Sequence, residues 1–299
     1  MGLLERLSQI GYYVVPPGIK NLMPQQTRQR IARQLLPAST RAILDRNRAL
    51  ERKHAGERCF ILATGPSIKQ QDLTPLKNET CISVSNFFVH PAYATIKPAY
   101  HCLAPHHPPI TEEAWQDWLT ELYANAPEET TFLYSLTDKT RNESNQAHRP
   151  GNSYFIRFVG GADKTLAESI DLTAPLPAPQ SVSIMAVSAA IYMGFSEIYL
   201  LGCDHDWFVN HKQASHFYPE EKNAMKRRGY DEKYNPSVEW ALRSALRLWE
   251  QYGAIKTYIG PRGVSIFNAT PGSQLDVFPR VTLDDVIAGP PASTAGQQQ

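Results

Sequence analysis

Residues 181–206 read SVSIMAVSAAIYMGFSEIYLLGCDHD. Ser181 to Met193 is Ala-rich and mostly apolar, which predicts a buried helix, and Gly194 supplies the residue that caps it. Glu197 to Leu201 is a short apolar run that predicts a buried strand, ending at Gly202-Cys203-Asp204-His205-Asp206. A helix, a tight turn and an apolar strand make half of a βαβ unit. The expected class is therefore α/β: a Rossmann-like, mostly parallel sheet with helices on both faces and a lid loop.

Working outward, the same signals recur. Cys59 to Ala63 is a compact apolar run closed by Gly65-Pro66, and Cys81 to Ser85 is a second, ending at Asn86. The stretch between them, Asp72 to Asn78, suits only a short crossover. Ala99 to Leu103 and Thr130 to Leu136 predict further strands, and Thr111 to Asn125 predicts a helix with a capping Thr followed by Glu112 and Glu113. Thr137 to Pro150 is polar and reads as a loop. Ser237 to Tyr252 predicts an amphipathic helix stopped by Gly253, with Ile255 to Ile259 as the next strand. His205 to Pro236 lacks periodicity and suits a lid of about 205–236, carrying His211, His216, Tyr218, Tyr230 and Tyr234.

The catalytic α/β domain is expected over 57–286, with a basic and apolar helical extension over 1–56 and a disordered tail over 287–299. From Lys20 to Arg58 ten Lys or Arg face three Asp or Glu. Beside the apolar opening Leu3 to Val15, that bias fits either a membrane-surface anchor or a solvated helical face. The whole chain of 299 residues carries a formal net charge of +1, which argues against a nucleic-acid partner bound through a global positive field. Four cysteines, Cys59, Cys81, Cys102 and Cys203, show no paired zinc spacing and fit reduced thiols in a cytoplasmic protein. No run approaches the roughly 20 apolar residues of a membrane span, and no signal-peptide pattern opens the chain.

In open α/β sheets ligands sit outside the carboxyl ends of the strands, so the residues after each apolar run are the candidates. Thr64-Gly65-Pro66-Ser67 offers backbone N–H groups, a hydroxyl and a glycine that admits close approach, although it is neither a Walker loop nor a GxGxxG turn. Asn86 can read a base or ribose with donor and acceptor together. Asp204, His205 and Asp206 could place a general base or hold a metal, and the imidazoles and phenols of the lid could close over a phosphate.

The Thr-Gly-Pro-Ser strand end, the following Ser-Asn-Phe-Phe at residues 85–88, and the stretch Met193 to Asp204 together resemble the bacterial sialyltransferase family typified by the Campylobacter lipooligosaccharide enzymes. They resemble equally the related group of motility accessory factors and the archaeal hydroxymethylpterin diphosphokinase. The sialyltransferase resemblance implies a Rossmann-like domain with a lid, inverting direct displacement, no metal and no cofactor beyond the nucleotide-sugar substrate. By the same resemblance Gly65, Pro66, Ser67 and Asn86 would hold a CMP moiety, with Ser181 or Ser183 as a further nucleotide contact and Thr64, Gly202 and Asp204 beside them. Where that family has tyrosines after its Gly-x-Asp motif, this chain has His205, Asp206 and Trp207, and residues 229–236 contain no late His.

The expected function is a glycosyltransferase using a CMP-activated nonulosonic acid, sialic acid-like or Kdo-like, on a saccharide or lipid-linked saccharide acceptor in bacterial surface glycan synthesis. His216, or else His205 or Asp206, would take the acceptor proton, and Tyr218 or Tyr230 would stabilise the departing phosphate. The enzyme would work in the cytoplasm, held at the inner membrane surface by its basic N-terminal segment. The alternatives are a Mg-dependent pterin-type diphosphokinase with Asp204 and Asp206 as ligands, and a non-catalytic nucleotide-binding accessory protein.

Overall fold

A computed structural model describes residues 25–107, 110–160, 169–209, 216–218 and 237–289. Its strands are β1 (Arg58–Leu62), β2 (Cys81–Val84), β3 (Tyr100–Cys102), β4 (Thr131–Ser135), β5 (Ser153–Ile156), β6 (Phe158–Val159), β7 (Leu176–Pro177), β8 (Glu197–Leu201) and β9 (Ser265–Asn268). Its helices are α1 (Gln25–Gln34), α2 (Ala38–Asp45), α3 (Tyr93–Ile96), α4 (Glu112–Asn125), α5 (Lys139–Glu143), α6 (Val182–Met193), α7 (Val238–Ile259) and α8 (Leu283–Ala288). Seven strands form one sheet in the order β5-β4-β3-β2-β1-β8-β9, and every pairing in it is parallel. β6 and β7 pair separately.

Alternate residues of the strands face opposite layers, as the two-residue repeat of a strand requires. Cys59, Ile61, Ile82, Val84, Leu133, Ile198, Leu200 and Ile266 pack with α6 and α7 on one side. Phe60, Leu62, Cys81, Phe132, Tyr134, Tyr199 and Leu201 pack on the other with α4, α8 and the 3-10 turns that follow β1 and β2. A sheet covered on both faces explains why its strands read as nearly unbroken apolar runs.

The capping chemistry is local and sequence-coded. Thr111 accepts the N–H of Ala114 at 3.1 Å to open α4, and Ser181 accepts that of Ile184 to open α6. Gly194 ends α6 at φ +88. The segment before β1 belongs to the core: Leu44 and Leu50 are fully buried, and the Asn47 side-chain amide donates to Phe155 O at 2.8 Å and to Leu172 O at 2.7 Å. At the opposite edge Asn268 N donates to Pro279 O and Val281 N to Asn268 O.

Two expectations fail here. Ile255 to Ile259 is the last part of α7 and not a strand, and Gly253 does not stop the helix. Leu248, Tyr252, Ile255 and Ile259 continue one buried stripe at helical spacing, and that burial outweighs the roughly 1 kcal/mol cost of an interior glycine. The polar stretch 137–150 is not all loop, because it contains α5 and lies between two 3-10 turns. The apolar N-terminal opening, most of the expected lid and all but the start of the expected tail lie outside the described residues.

Candidate active site

The strand order reverses direction at β1, which lies between β2 and β8. In such sheets the ligand crevice lies outside the carboxyl ends of the two strands at the reversal, beyond the loops that leave them. Those loops are Ala63 to Ser67 and Gly202 to Asp206.

The pairing of β1 with β8 runs on past both strands, through Ala63 N to Leu201 O at 2.9 Å and Gly65 N to Gly202 O at 2.8 Å. Pro66 then opens a 3-10 turn, and the Asp204 carboxylate crosses over to cap it. Oδ1 accepts the Ser67 N–H at 3.1 Å and Oδ2 accepts the Ser67 hydroxyl at 2.8 Å. Gly65 has an ordinary φ of −64, so its need is space: a Cβ there would lie 1.8 Å from Asp204 Oδ2. Gly202 needs both, with φ +65 and a Cβ that would meet Ala63 O at 2.7 Å. Behind Asp204, the loop after β9 braces the backbone: Thr270 Oγ1 accepts from Cys203 N at 3.1 Å, Ser273 Oγ donates to Cys203 O at 2.7 Å, and Gln274 N donates to Asp204 O at 2.9 Å. Burial raises the pKa of Asp204, the two Ser67 bonds act against that, and the nearby Asp206 charge adds to it.

Within the expected lid, residues 205–209 and 216–218 are described; the second piece, His216 to Tyr218, sits on the end of β1. Phe217 N donates to Thr64 O at 2.9 Å, and His216 Nδ1 lies 3.2 Å from Thr64 Oγ1. The Phe217 ring is buried and meets His90 and Phe87 edge-on at 4.9 and 6.0 Å between centroids, which anchors the segment. The rings of His216 and Tyr218 stack at 5.0 Å and 7°. Asn86 is fully buried in the 3-10 turn that leaves β2, next to the turn of β1.

A second cluster forms on the α6 and α7 side. His205 adopts φ +51 and lies half-buried among Trp207, Trp249 and Tyr252. Burial pushes its imidazole down to about 4, with Asp206 opposing. His205 Nε2 is 3.1 Å from the Tyr252 hydroxyl, which is 2.8 Å from Ser183 Oγ, itself 2.6 Å from Ser181 Oγ. Arg247 and Gln251 of α7 hold the entry to α6 through Gln180 and Ala178.

The sequence-predicted residues thus fall into two groups that meet at the Gly202 to Asp206 loop. Thr64, Gly65, Pro66, Ser67, Gly202, Asp204, His216 and Tyr218 form the first, and Ser181, Ser183 and His205 form the second. Asp206 follows His205, and Tyr230 lies outside the described residues. Among the described residues no group of three or more His, Cys, Asp or Glu side chains is placed to hold a metal ion. Sequence reasoning missed Tyr252, Thr270 and Ser273. Tyr252 sits at a core position of the helical stripe, so nothing in its spacing marks its hydroxyl as part of a network.

No protein-family model matches this sequence. No curated protein matches it either. Among solved structures it is similar to the sialyltransferase CstII from Campylobacter jejuni in complex with a substrate analogue, CMP-3FNeuAc, at 14% identity and TM-score 0.43, covering 76% of this chain and 86% of that one. The complex of the same sialyltransferase with cytidine-5'-monophosphate gives 12% identity and TM-score 0.45 over 76% and 86% of the two chains. The monofunctional alpha-2,3-sialyltransferase Cst-I from Campylobacter jejuni gives 16% identity and TM-score 0.44 over 75% and 80%.

Proposed function

We propose that this chain is a glycosyltransferase that draws on a CMP-activated nonulosonic acid and transfers the sugar, with inversion, to a saccharide or lipid-linked saccharide acceptor of the bacterial surface. One observation carries the reading. Two of the three stretches behind the sequence resemblance, Thr64 to Ser67 and the Gly202 to Asp204 end of Met193 to Asp204, are 137 residues apart in sequence between Ser67 and Asp204, yet they interlock by direct hydrogen bonds at the strand switch point. That is where an α/β sheet binds a nucleotide.

In this reading Gly65, Pro66 and Ser67 form the floor under the nucleotide, Asn86 reads the base or ribose, and Ser181 at the start of α6 meets the phosphate. His216 is the general base. With Nδ1–H donating to Thr64 Oγ1, its Nε2 keeps the lone pair that takes the acceptor hydroxyl proton as the new glycosidic bond forms. Tyr218, stacked on that ring, and Tyr230 steady the charge on the departing phosphate. The nucleotide sugar is a substrate, and neither metal nor cofactor is called for.

No helix of the described residues is long and apolar enough to cross a membrane. The basic stretch from Lys20 to Arg58 would hold the enzyme at the anionic cytoplasmic face of the inner membrane, where lipid-linked acceptors are presented.

Melting curves with CMP, CDP, UDP, GDP and ATP, each with and without Mg²⁺, test the nucleotide. At 100 times its Kd a ligand adds about 2.7 kcal/mol, so CMP should raise Tm by several degrees with or without Mg²⁺. Sugar release from CMP-sialic acid to a saccharide acceptor should then fall by roughly 10²–10⁴ in His216→Ala. A shift with ATP and Mg²⁺ alone, or no shift with any nucleotide, would overturn the proposal.

A further inference from the structure

The line Ser181, Ser183, Tyr252, His205 joins three elements and has one inner and one outer end. Tyr252 is fully buried and Ser183 nearly so, while Ser181 is half-buried at the N-cap of α6. Three hydroxyls and one imidazole nitrogen share three contacts of 2.6, 2.8 and 3.1 Å. Each hydroxyl has a single proton to give.

Only two arrangements put one proton in each of the three contacts and leave no buried proton without an acceptor; a missing proton sets lone pair against lone pair, and an orphaned one is costly. In the inward one Ser181 donates to Ser183, Ser183 to Tyr252 and Tyr252 to His205 Nε2, so the imidazole proton is on Nδ1. In the outward one His205 Nε2–H donates to Tyr252, Tyr252 to Ser183 and Ser183 to Ser181, whose own proton is then free for an acceptor outside the chain. The inward arrangement satisfies every hydroxyl within the protein. The outward one needs a partner at its mouth.

We propose that these four residues are a ligand-driven tautomer switch: a ligand oxygen that accepts from Ser181 selects the outward arrangement, fixes the His205 proton on Nε2 and leaves Nδ1 as an acceptor. This rests on the reading of the crevice as a nucleotide monophosphate site. The hydroxyls only rotate. One proton leaves Nδ1 to solvent and one binds Nε2 from solvent, so the ring stays neutral and the protein neither gains nor loses charge. Tyr252 is a positioning residue here, acting on substrate only through His205. A ligand moves such an equilibrium by its differential affinity for the two states, and a charge-assisted bond from Ser181 to a phosphate oxygen is of the strength that gives roughly a tenfold shift or more.

Nitrogen-15 NMR of the full chain labelled at histidine, with the His205 signals assigned through His205→Gln, reads the tautomer directly. Ligand-free protein should carry the His205 proton on Nδ1, CMP should move it to Nε2, and cytidine, which lacks the phosphate, should not. Tyr252→Phe should abolish the response while CMP still raises Tm. CMP that raises Tm without moving the His205 signals, or a full response in Tyr252→Phe, would overturn the switch while leaving the proposed function standing. If CMP does not bind at all, the functional reading falls, and ligand-free Tyr252→Phe decides the rest. Loss of the hydroxyl should release the proton to Nε2, and an unchanged tautomer in that variant overturns the relay as well.

Discussion

A methyl group on Gly65 would lie 1.8 Å from Asp204 Oδ2 and 2.5 Å from Gly202 O, and the second of these is backbone that cannot swing away. Gly65→Ala is therefore expected to lose about 3 kcal/mol, the upper end of the overpacking range, read as a lower urea midpoint at unchanged m. A midpoint equal to that of the wild type would mean that the two strand ends are not interlocked. His205 gives a pH signature. Its native pKa, about 4, lies below the ordinary value of roughly 6.5, so the unfolded chain takes up the proton first as pH falls. Its contribution to stability is complete above the ordinary value and is lost as pH drops through about 4. His101, fully buried and pushed down to about 3, acts with the same sign. Stability measured across that range should fall less steeply in His205→Gln than in the wild type, without becoming flat. Equal slopes would place the His205 ring in water.

Among the elements, α7 is the one whose reading from sequence and whose form in the fold diverge most. Gly253 looks like a stop because glycine so often ends helices, and β-branched and aromatic residues after it look like a strand. Only the three-dimensional packing of Ile255 and Ile259 against the sheet overrides that preference. Since a Cβ at 253 would meet nothing within 4 Å, Gly253→Ala should stabilise α7 by about 0.5–1 kcal/mol and lift Tm by about 2 °C. A drop in Tm would show a constraint at that turn beyond helix propensity. Helices α4 and α6 were legible because Thr111, Ser181 and Gly194 announce their ends by side-chain chemistry. That Thr64 to Ser67 and Gly202 to Asp204 lie at strand ends was legible for a similar reason, since glycine and small polar residues directly after apolar runs mark where a strand stops. The second group was half legible. Ser181, Ser183 and His205 stand out by type, but the Tyr252 hydroxyl that ties them together is hidden in a core stripe, and the bracing by Thr270 and Ser273 depends on a loop whose position no periodicity encodes.

For the molecule as a whole, the segment before β1 decides whether the sheet is complete. A chain beginning at Glu57 would lack Leu36, Leu44 and Leu50, all buried, together with the Asn47 amide. Removing one such leucine side chain costs about 2–5 kcal/mol, and the three together rival the 5–15 kcal/mol net stability of a typical protein. That truncation should give no cooperative thermal transition by circular dichroism, and a transition at the wild-type temperature would show the segment to be dispensable. Any test of vesicle binding by the basic stretch must therefore keep the chain whole and neutralise exposed side chains such as Arg30, Arg46 and Arg48.

The Asn47 bridge and the Asn268 pairing have a consequence for how copies of the chain behave at high concentration. An open sheet presents at each rim a row of amide and carbonyl groups that can recruit the rim of another molecule, the first step of ordered aggregation. Here the rim at β5 has its Phe155 carbonyl occupied by Asn47, and the rim at β9 is occupied on both the donor and acceptor sides of Asn268 by residues 279–281. Fibre growth by strand addition thus finds no ready template at these positions, and concentrated samples should resist amyloid-type assembly for as long as residues 36–56 stay docked.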